Sequence, residues 1–376
     1  MDRKRLFSSV KRIVIKVGSA VIADAEGLNL EVLRSICNQI ARLKKEEELL
    51  ITIVSSGAVA AGTAKLKDIV PVVKTVPEKQ ALAAVGQGRL MHAYEEAFDK
   101  FNIHVAQILL TRTGLISRHR YVNAKNTIQT LLNWGIIPIV NENDTVSIEE
   151  LQFTDNDTLA VLVLNLMDAD ILICLSDIDC LYDKDPRKFS DAQPIKVVDR
   201  VDEHILAMAG EGPGRAGRGG MKSKLLAART ATSCGVPVII AKGREENIIE
   251  RLFAGEELGT LFLPRKKRLY GRKPWIALAL KRQGRLYLDD GAVSALLDRG
   301  KSLLPVGIKG VEGDFDAGDC VVCVSPNGRE VAVGITNYNS RELLKICGCH
   351  SSQICEKIGY NGDTEVIHRD NMVVFE

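Results

Sequence analysis

Near the N-terminus, a lysine and a glycine lie two positions apart where a strand-like run ends. Lys16 lies at the end of the β-branched run 12–17, and Gly18 and Ser19 come next. An ammonium beside exposed backbone N–H groups is a phosphate environment. A lysine that ends a strand is also often a solvated surface charge. The residues therefore indicate a phosphate site only if other motifs join them.

Residues 54–62 (VSSGAVAAG) form a second loop of small side chains directly after a strand-like run. Small residues let a ligand approach the backbone, and a helix that begins there offers its N-terminal dipole to an anion. A tight strand-to-helix turn with close packing would use the same residues. Both interpretations stay open at this point.

Asparagine and aspartate cluster in two places about a dozen residues apart, at 141–144 (NEND) and 155–157 (DND). Such residues are common in turns. Two clusters so close together, each after an apolar segment, also favour a site for an amino acid, because carboxylates and amides can bind its ammonium and carboxylate groups. They can orient neighbouring lysines as well.

A glycine-rich segment at 211–224 (EGPGRAGRGGMKSK) contains a GxGxxG match. A dinucleotide fingerprint needs a preceding strand, and residues 204–210 have a helical pattern instead. A Walker A motif is also excluded, since no glycine directly precedes the Lys-Ser pair. The segment is compatible with a flexible surface loop or with a mobile lid over ATP phosphates, opening a helix at Met221.

The elements that must position these loops alternate between strands and helices. Helical stretches separate the strands, so βαβ units and a mainly parallel sheet covered on both faces are predicted. In such sheets ligands bind at the carboxyl ends of the strands, where the four loops lie. The predicted strands are 12–17, 49–54, 103–110, 136–140, 171–175 and 237–241, and the predicted helices are 29–45, 78–100, 121–133, 155–168 and 221–234.

Length and composition set the outer limits. A chain of 376 residues is too long for one compact domain and fits two. The net charge of +2 means that any basic patch is local. No apolar run reaches the roughly 20 residues that span a bilayer, and the first residues lack a signal-peptide core. We therefore expect a cytoplasmic protein whose nine cysteines are reduced.

The pattern changes after Pro264. Residues 265–273 contain six basic side chains and no acidic one, and beyond Trp275 short glycine-punctuated runs predict a small β-rich barrel. The predicted strands there are 276–280, 285–288, 307–311, 319–324 and 330–334. The cysteines at 320, 323, 347 and 349 allow a zinc site, but a strand over DCVVCV favours buried thiols instead.

Nine motifs carry a family resemblance: KVGS (16–19), VSSGAVAAG (54–62), AAVGQGRLM (83–91), ILLTR (108–112), PIVNENDTV (138–146), DNDTL (155–159), SDIDCLYDKDPR (176–187), GRGGMKSK (217–224) and SLLPVGI (302–308). In this order they resemble the amino acid kinase family, and within it the members that phosphorylate the γ-carboxylate of free L-glutamate. The C-terminal part resembles a PUA domain. The resemblance implies a three-layer αβα sandwich over residues 1–265 and a PUA-like domain over 274–376.

The resemblance also implies roles for single residues. Lys16 and Lys224 match the catalytic lysines, and Asp157 matches the acid that orients both. Two lysines suit phosphoryl transfer, because catalysis there is mostly positioning and electrostatic stabilisation of the transferring oxygens. The substrate-binding positions are Ser56, Asp144 and Asn156, with Asn141 nearby. The nucleotide-binding positions are Lys16, Ser176, Asp177, Arg218, Gly219, Gly220, Met221, Lys222, Ser223 and Lys224.

ATP is the implied cofactor, with magnesium carried on its phosphates and no firm protein ligand. The family more often has threonine at positions 176 and 218, so the role of Arg218 is open. Related members act on N-acetylglutamate, aspartate, carbamate or UMP, and Asp144 favours a substrate with a free ammonium. The resemblance further implies inhibition by proline and a homo-oligomer, tetramer or dimer. A chiefly RNA-binding protein is the alternative from another class, supported by the basic stretch.

Overall fold

A computed structural model describes residues 3–24, 26–70, 72–111, 114–115, 118–147, 156–209, 220–264 and 282–375. Contacts between Cα atoms divide the chain into two units, Met1–Arg268 and Leu269–Glu376. The limits 1–265 and 274–376 stay a prediction, because residues 265–281 lie outside the described part of the chain.

The first unit is built on one large sheet. Its described strands run in the order β10–β12–β11–β7–β1–β4–β6–β5, and all neighbours are parallel except β11 and β12. The strands of this unit are β1 (Arg12–Val17), β2 (Ala23–Asp24), β3 (Gly27–Leu28), β4 (Leu50–Ser55), β5 (Val105–Leu110), β6 (Ile137–Glu142), β7 (Ile171–Ser176), β8 (Leu181–Tyr182), β9 (Pro194–Ile195), β10 (Val197–Val198), β11 (Val238–Lys242) and β12 (Thr260–Phe262).

Helices cover both faces of this sheet. Contacts group α1, α3, α4, α5 and α10 in one layer and α6, α7, α8 and α9 in the other. The mainly parallel sheet and the three-layer sandwich are therefore confirmed. The helices are α1 (Arg3–Ser8), α2 (Ser19–Ile22), α3 (Leu30–Glu46), α4 (Ala58–Lys65), α5 (Val76–Asp99), α6 (Arg118–Asn133), α7 (Asn156–Leu166), α8 (Glu203–Ala207), α9 (Met221–Ser233) and α10 (Ile248–Phe253).

Strand β1 shows how the sequence distributes its side chains between the two layers. Ile13, Ile15 and Val17 belong to the core cluster that packs against α3 and α5. Successive side chains of a strand point to opposite faces, so Lys16 faces the layer that contains α7. That helix is buried along almost its whole length, with apolar residues on all sides. The ammonium of Lys16 is thereby placed in the protein interior.

Helices α4 and α5 cross at close range through glycines. A Cβ at Gly86 would lie 1.8 Å from Ala58 O, and a Cβ at Gly62 would lie 1.9 Å from Leu82 O. No larger side chain fits either position without moving the backbone. The crossing therefore holds α5 against the first turn of α4, which follows directly on the loop Ser56-Gly57.

The second unit has its own five-stranded sheet, in the order β14–β13–β15–β16–β17. Its β-rich character is confirmed, while the strand predicted at 276–280 lies outside the described residues. Its strands are β13 (Arg282–Leu288), β14 (Ile308–Glu312), β15 (Cys320–Val324), β16 (Glu330–Ile335) and β17 (Met372–Val374), and its helices are α11 (Asp290–Leu297), α12 (Ser340–Ile346) and α13 (Ile354–Ile358).

The cysteines of this unit are free thiols. Cys320 and Cys323 are buried on β15, as the strand interpretation predicts, and burial raises the pKa of each thiol to about 12. Cys347 is half-buried and its Sγ donates to Ile308 O at 2.9 Å. In the described part of the chain, no group of three or more His, Cys, Asp or Glu side chains is placed to hold a metal ion.

No helix among the described residues combines the length and the apolar character that a membrane span requires.

Candidate active site

Three of the four predicted loops begin at one edge of the large sheet, and most of the fourth, 211–224, lies outside the described residues. Val17, at the end of β1, pairs with Ser55 of β4 and with Leu175 of β7. Val54 pairs in turn with Val140 of β6. Because these strands are parallel, their carboxyl ends coincide. The sheet thus places the ends of β1, β4 and β6, where three predicted loops begin, side by side, with the end of β7 next to them.

Three charged side chains from three elements form an ionic cluster in the interior. Lys16 Nζ lies 2.6 Å from Asp157 Oδ1, and Lys224 Nζ lies 3.5 Å from Asp157 Oδ2. All three side chains are at least 95% buried. The cluster therefore brings together the three residues predicted to act in catalysis, from β1, α7 and α9.

Two lysines and one carboxylate meet in the ionic cluster, so the formal charges of these three side chains sum to +1. Burial removes the water that stabilises charge at the surface, and buried lysines of this kind suit an anionic ligand. Phosphate oxygens meet that need, and a lysine can follow them as a point charge while they move.

Ser223 supports the carboxylate of the cluster. Its Oγ donates to Asp157 Oδ2 at 3.0 Å and lies 2.9 Å from Gly220 O. Gly220 is the N-cap of α9, and Lys224 is buried in the first turns of this helix, whereas Lys222 is exposed. Lys222 is therefore not part of the ionic cluster.

Next to the ionic cluster lies an uncharged amide network that starts at Asn156, the residue before Asp157. Asn156 Nδ2 donates to Ser56 Oγ at 2.8 Å, to Ser55 O at 3.0 Å and to Asn141 Oδ1 at 3.0 Å. Asn141 Nδ2 donates to Gln87 Oε1 at 2.8 Å. Three predicted substrate-binding residues, Ser56, Asn141 and Asn156, are thus in direct contact.

The loop that carries Ser56 is held on both sides. Ser56 N donates to Val17 O at 3.0 Å, and the next residue, Gly57, has a φ of +112° that a side chain would strain. Behind it, the hydroxyls of Ser55 and Tyr94 lie 2.9 Å apart. Burial raises the pKa of Tyr94, so this phenol stays neutral.

Asp144 begins a short 3₁₀ turn, Asp144–Val146, three residues after Asn141, and is half-buried. The turn packs against α5. Its end is held by Ser147, whose Oγ donates to Glu142 Oε1 at 2.9 Å and whose O accepts from Gln80 Nε2 at 3.1 Å. Hydrogen bonds through Ser147 therefore hold the end of this turn.

A cavity of about 280 Å³ opens beside the N-terminus of α9. It lies next to the buried Ser176 at the end of β7, whose Oγ donates to Asp177 Oδ1 at 3.0 Å. Of the predicted nucleotide positions, Asp177, Gly220 and Met221 line it, and Arg218 and Gly219 lie outside the described residues. The other lining residues are Ile178, Asp179, Cys180, Leu181, Tyr182, Lys184, Asp185, Pro186, Arg187, Met208 and Ala209.

Comparison with known sequences shows which family this chain belongs to. The profile of the amino acid kinase family matches residues 11–242, which include every residue of the ionic cluster and the amide network. This chain belongs to the amino acid kinase family. A PUA domain profile matches residues 284–358.

Curated proteins resemble this amino acid kinase over nearly its whole length. A protein from Desulfotalea psychrophila named glutamate 5-kinase is 48% identical and covers 99% of both chains. Its namesake from Caldanaerobacter subterraneus is 47% identical over 97% of this chain and 98% of its own. Among solved structures, UMP kinase from Bacillus anthracis is 18% identical, with a TM-score of 0.48 over 68% of this chain and 97% of its own.

Sequence reasoning missed two residues that this family member places beside the candidate site. Gln87 and Tyr94 both lie on α5, inside or just after the motif 83–91, and no role was predicted for either. A glutamine or tyrosine in a helix carries no motif of its own. Gln87 meets Asn141 only through the packing of α5 on the loop after β6.

Proposed function

We propose that this protein transfers the γ-phosphoryl group of ATP to the γ-carboxylate of L-glutamate, forming L-glutamyl 5-phosphate. The observation that carries the proposal is the junction at Asn156 and Asp157, where an amide network and a buried ionic cluster meet at consecutive residues. The names of the curated relatives supply the substrate.

In the proposed reaction Lys16 and Lys224 stabilise the negative charge that spreads over the transferring oxygens. Asp157 holds both ammonium groups in place. No general base is required, because a γ-carboxylate with an ordinary pKa of about 4.3 is already ionised at neutral pH. The chain therefore acts by positioning and by charge, as phosphoryl transfer demands.

Magnesium belongs to this proposal as a companion of ATP. The ion is proposed to be held mainly by phosphate oxygens and water. When bound, the ion neutralises part of the phosphate charge.

Asp144 is the proposed partner of the substrate's ammonium group. Ser56 and Asn156 are the proposed partners of the substrate's α-carboxylate. An N-acetylated substrate has no ammonium to pair with the half-buried carboxylate of Asp144, so it should bind more weakly than L-glutamate and be rejected. Hydroxylamine traps acyl phosphates as hydroxamates. We expect hydroxamate formation that depends on both ATP and L-glutamate, and its absence would refute the proposed reaction.

Feedback inhibition by proline and a place in proline biosynthesis follow from the same proposal. Proline carries a carboxylate and a secondary ammonium, the groups that Ser56, Asn156 and Asp144 would bind in glutamate. Inhibition should therefore be competitive with glutamate and not with ATP. Proline inhibition that added glutamate fails to relieve would contradict a shared site.

A homo-oligomer, dimer or tetramer, and a cytoplasmic location where the nine free thiols remain reduced complete the proposal. Sedimentation would establish the first. RNA binding by the C-terminal unit is a separate prediction, supported by the PUA match at 284–358 and the basic residues 265–273. A gel shift with a steep salt dependence would support it, and its absence at low salt would refute it.

A further inference from the structure

Gln87 ends the amide network, and the proposed function gives it no role. Asn141 Oδ1 accepts from the backbone N–H of Glu142 at 2.9 Å. A backbone N–H can only donate, so this contact fixes which end of the Asn141 amide is the oxygen. The Nδ2 end then faces Gln87, which must present its own oxygen, Oε1, at 2.8 Å.

The same reasoning fixes the other end of the network. Asn156 Nδ2 donates to the carbonyl oxygen of Ser55, which can only accept. The nitrogen of Asn156 therefore also faces Ser56 Oγ, and because an amide nitrogen accepts no hydrogen bond, the Ser56 hydroxyl does not donate to it. A serine hydroxyl has one hydrogen, and in this arrangement that hydrogen points away from Asn156. It is left to donate to an anion such as the carboxylate of a substrate.

Gln87 is a costly residue for its position. The side chain is 8% exposed, and its Nε2 is enclosed without a hydrogen-bond partner in the part of the chain that the structure describes. A buried donor without a partner is unfavourable for stability. A residue of similar shape with no donor would avoid that penalty, so packing alone does not favour glutamine here. What glutamine adds at this position is its Oε1, which accepts a hydrogen bond from Asn141 Nδ2.

We propose that Gln87 is a positioning residue for the amino acid substrate. By accepting from Asn141 Nδ2 it joins Glu142 N in holding the Asn141 amide, whose Oδ1 in turn holds Asn156 beside Ser56, so that the Ser56 hydroxyl hydrogen stays available to the substrate carboxylate. Gln87 acts through Asn141 and does not itself touch the reacting atoms. This inference rests on the proposed glutamate kinase function.

Gln87→Met tests the inference, because methionine keeps the approximate shape and removes the acceptor. We expect the KM for glutamate to rise about fivefold to tenfold, the value of one lost hydrogen bond in the binding site. The KM for ATP and kcat should change less than twofold. This split separates positioning of the amino acid from a general loss of structure.

Gln39→Met is the matched control. Gln39 is also buried, 3% exposed, and its Oε1 accepts from Ile249 N at 2.8 Å, while its other described hydrogen bonds go to Ser35, outside the candidate site. Gln39→Met should lower the melting temperature and leave the KM for glutamate unchanged, and only Gln87→Met should raise that KM. An unchanged KM in folded Gln87→Met, or an equal rise in Gln39→Met, would overturn the inference.

Gln87→Glu provides the conservative rescue. A carboxyl group offers an acceptor oxygen to Asn141 whether or not it is protonated. The KM for glutamate should therefore return to within about threefold of the wild-type value by the same hydrogen-bond reasoning. A variant as impaired as Gln87→Met would contradict the acceptor role. Wild-type protein without glutamate turnover would instead refute the proposed function, and so the two failures are distinguishable.

Discussion

The ionic cluster and the amide network meet at Asn156 and Asp157, yet the first is made of charged side chains and the second of uncharged ones. The cluster places two ammonium groups around one carboxylate. The network links four uncharged side chains by hydrogen bonds of 2.8–3.0 Å. Charge of this kind acts on oxygens whose charge changes during reaction, whereas fixed amides select and orient a ligand. The cluster should therefore control kcat and the network should control the KM for the amino acid.

Removal of a cluster lysine is the strongest test of this division. Lys224→Ala and Lys16→Ala should each lower kcat by about 10²- to 10³-fold, because each removes a preorganised charge from the transition state. Steady-state ADP release measures the effect. Lys45→Ala, an exposed lysine on α3, is the matched control and should retain wild-type kcat. Near-normal turnover by Lys224→Ala would remove this residue from the site.

Asp157→Asn should affect both stability and rate. Asparagine keeps the shape but leaves two buried ammonium groups without their carboxylate, which costs about 3–5 kcal/mol in a buried ion pair. Urea denaturation should show a loss of that size, and kcat should fall about 100-fold as the lysines lose their alignment. A variant with wild-type stability would show that Asp157 does not hold the lysines.

Part of the fold was predictable from the sequence. Strand β1 was predicted with its observed limits, Arg12–Val17, because a β-branched run bounded by glycine is the pattern of a buried parallel strand. The short strands β10 and β12 and the C-terminal strand β17 were not, since two or three residues carry no periodicity.

The candidate site was predictable for residues that lie in recognisable motifs. It was not predictable for residues that reach the site only through the packing of helices. Lys16, Asp157 and Lys224 lie in three recognisable motifs, and the structure brings them together. The link from Gln87 to Asn141 joins residues 54 positions apart. It depends on how α5 crosses α4 at Gly62 and Gly86, a three-dimensional fact that no local pattern states.

Ser56→Ala tests the network side with a smaller expected effect. Asn156 keeps its contacts with Ser55 O and Asn141 Oδ1, so the variant removes little besides one hydroxyl. The KM for glutamate should rise about tenfold, with kcat within about twofold of wild type. Ser8→Ala, at an exposed serine of α1, serves as control. A drop in kcat at unchanged KM would break the proposed division.

Paired glycine variants on α5 test the helix crossing that supports the amide network. Gly86→Ala would place a Cβ 1.8 Å from Ala58 O, and overpacking of this kind costs about 1–3 kcal/mol. Gly88→Ala meets no atom within 4 Å and should stabilise the helix by about 0.5–1 kcal/mol. Urea midpoints that shift in opposite directions would confirm the tight crossing, and equal midpoints would argue against it.

The most direct test of the central claim compares two acceptors in one ADP-release assay, L-glutamate and N-acetyl-L-glutamate. Asp144 and the amide network predict turnover of L-glutamate and a kcat/KM for the acetylated compound at least 100-fold lower, the discrimination expected when a buried polar group is left unpaired. Turnover of the acetylated compound alone would contradict the account.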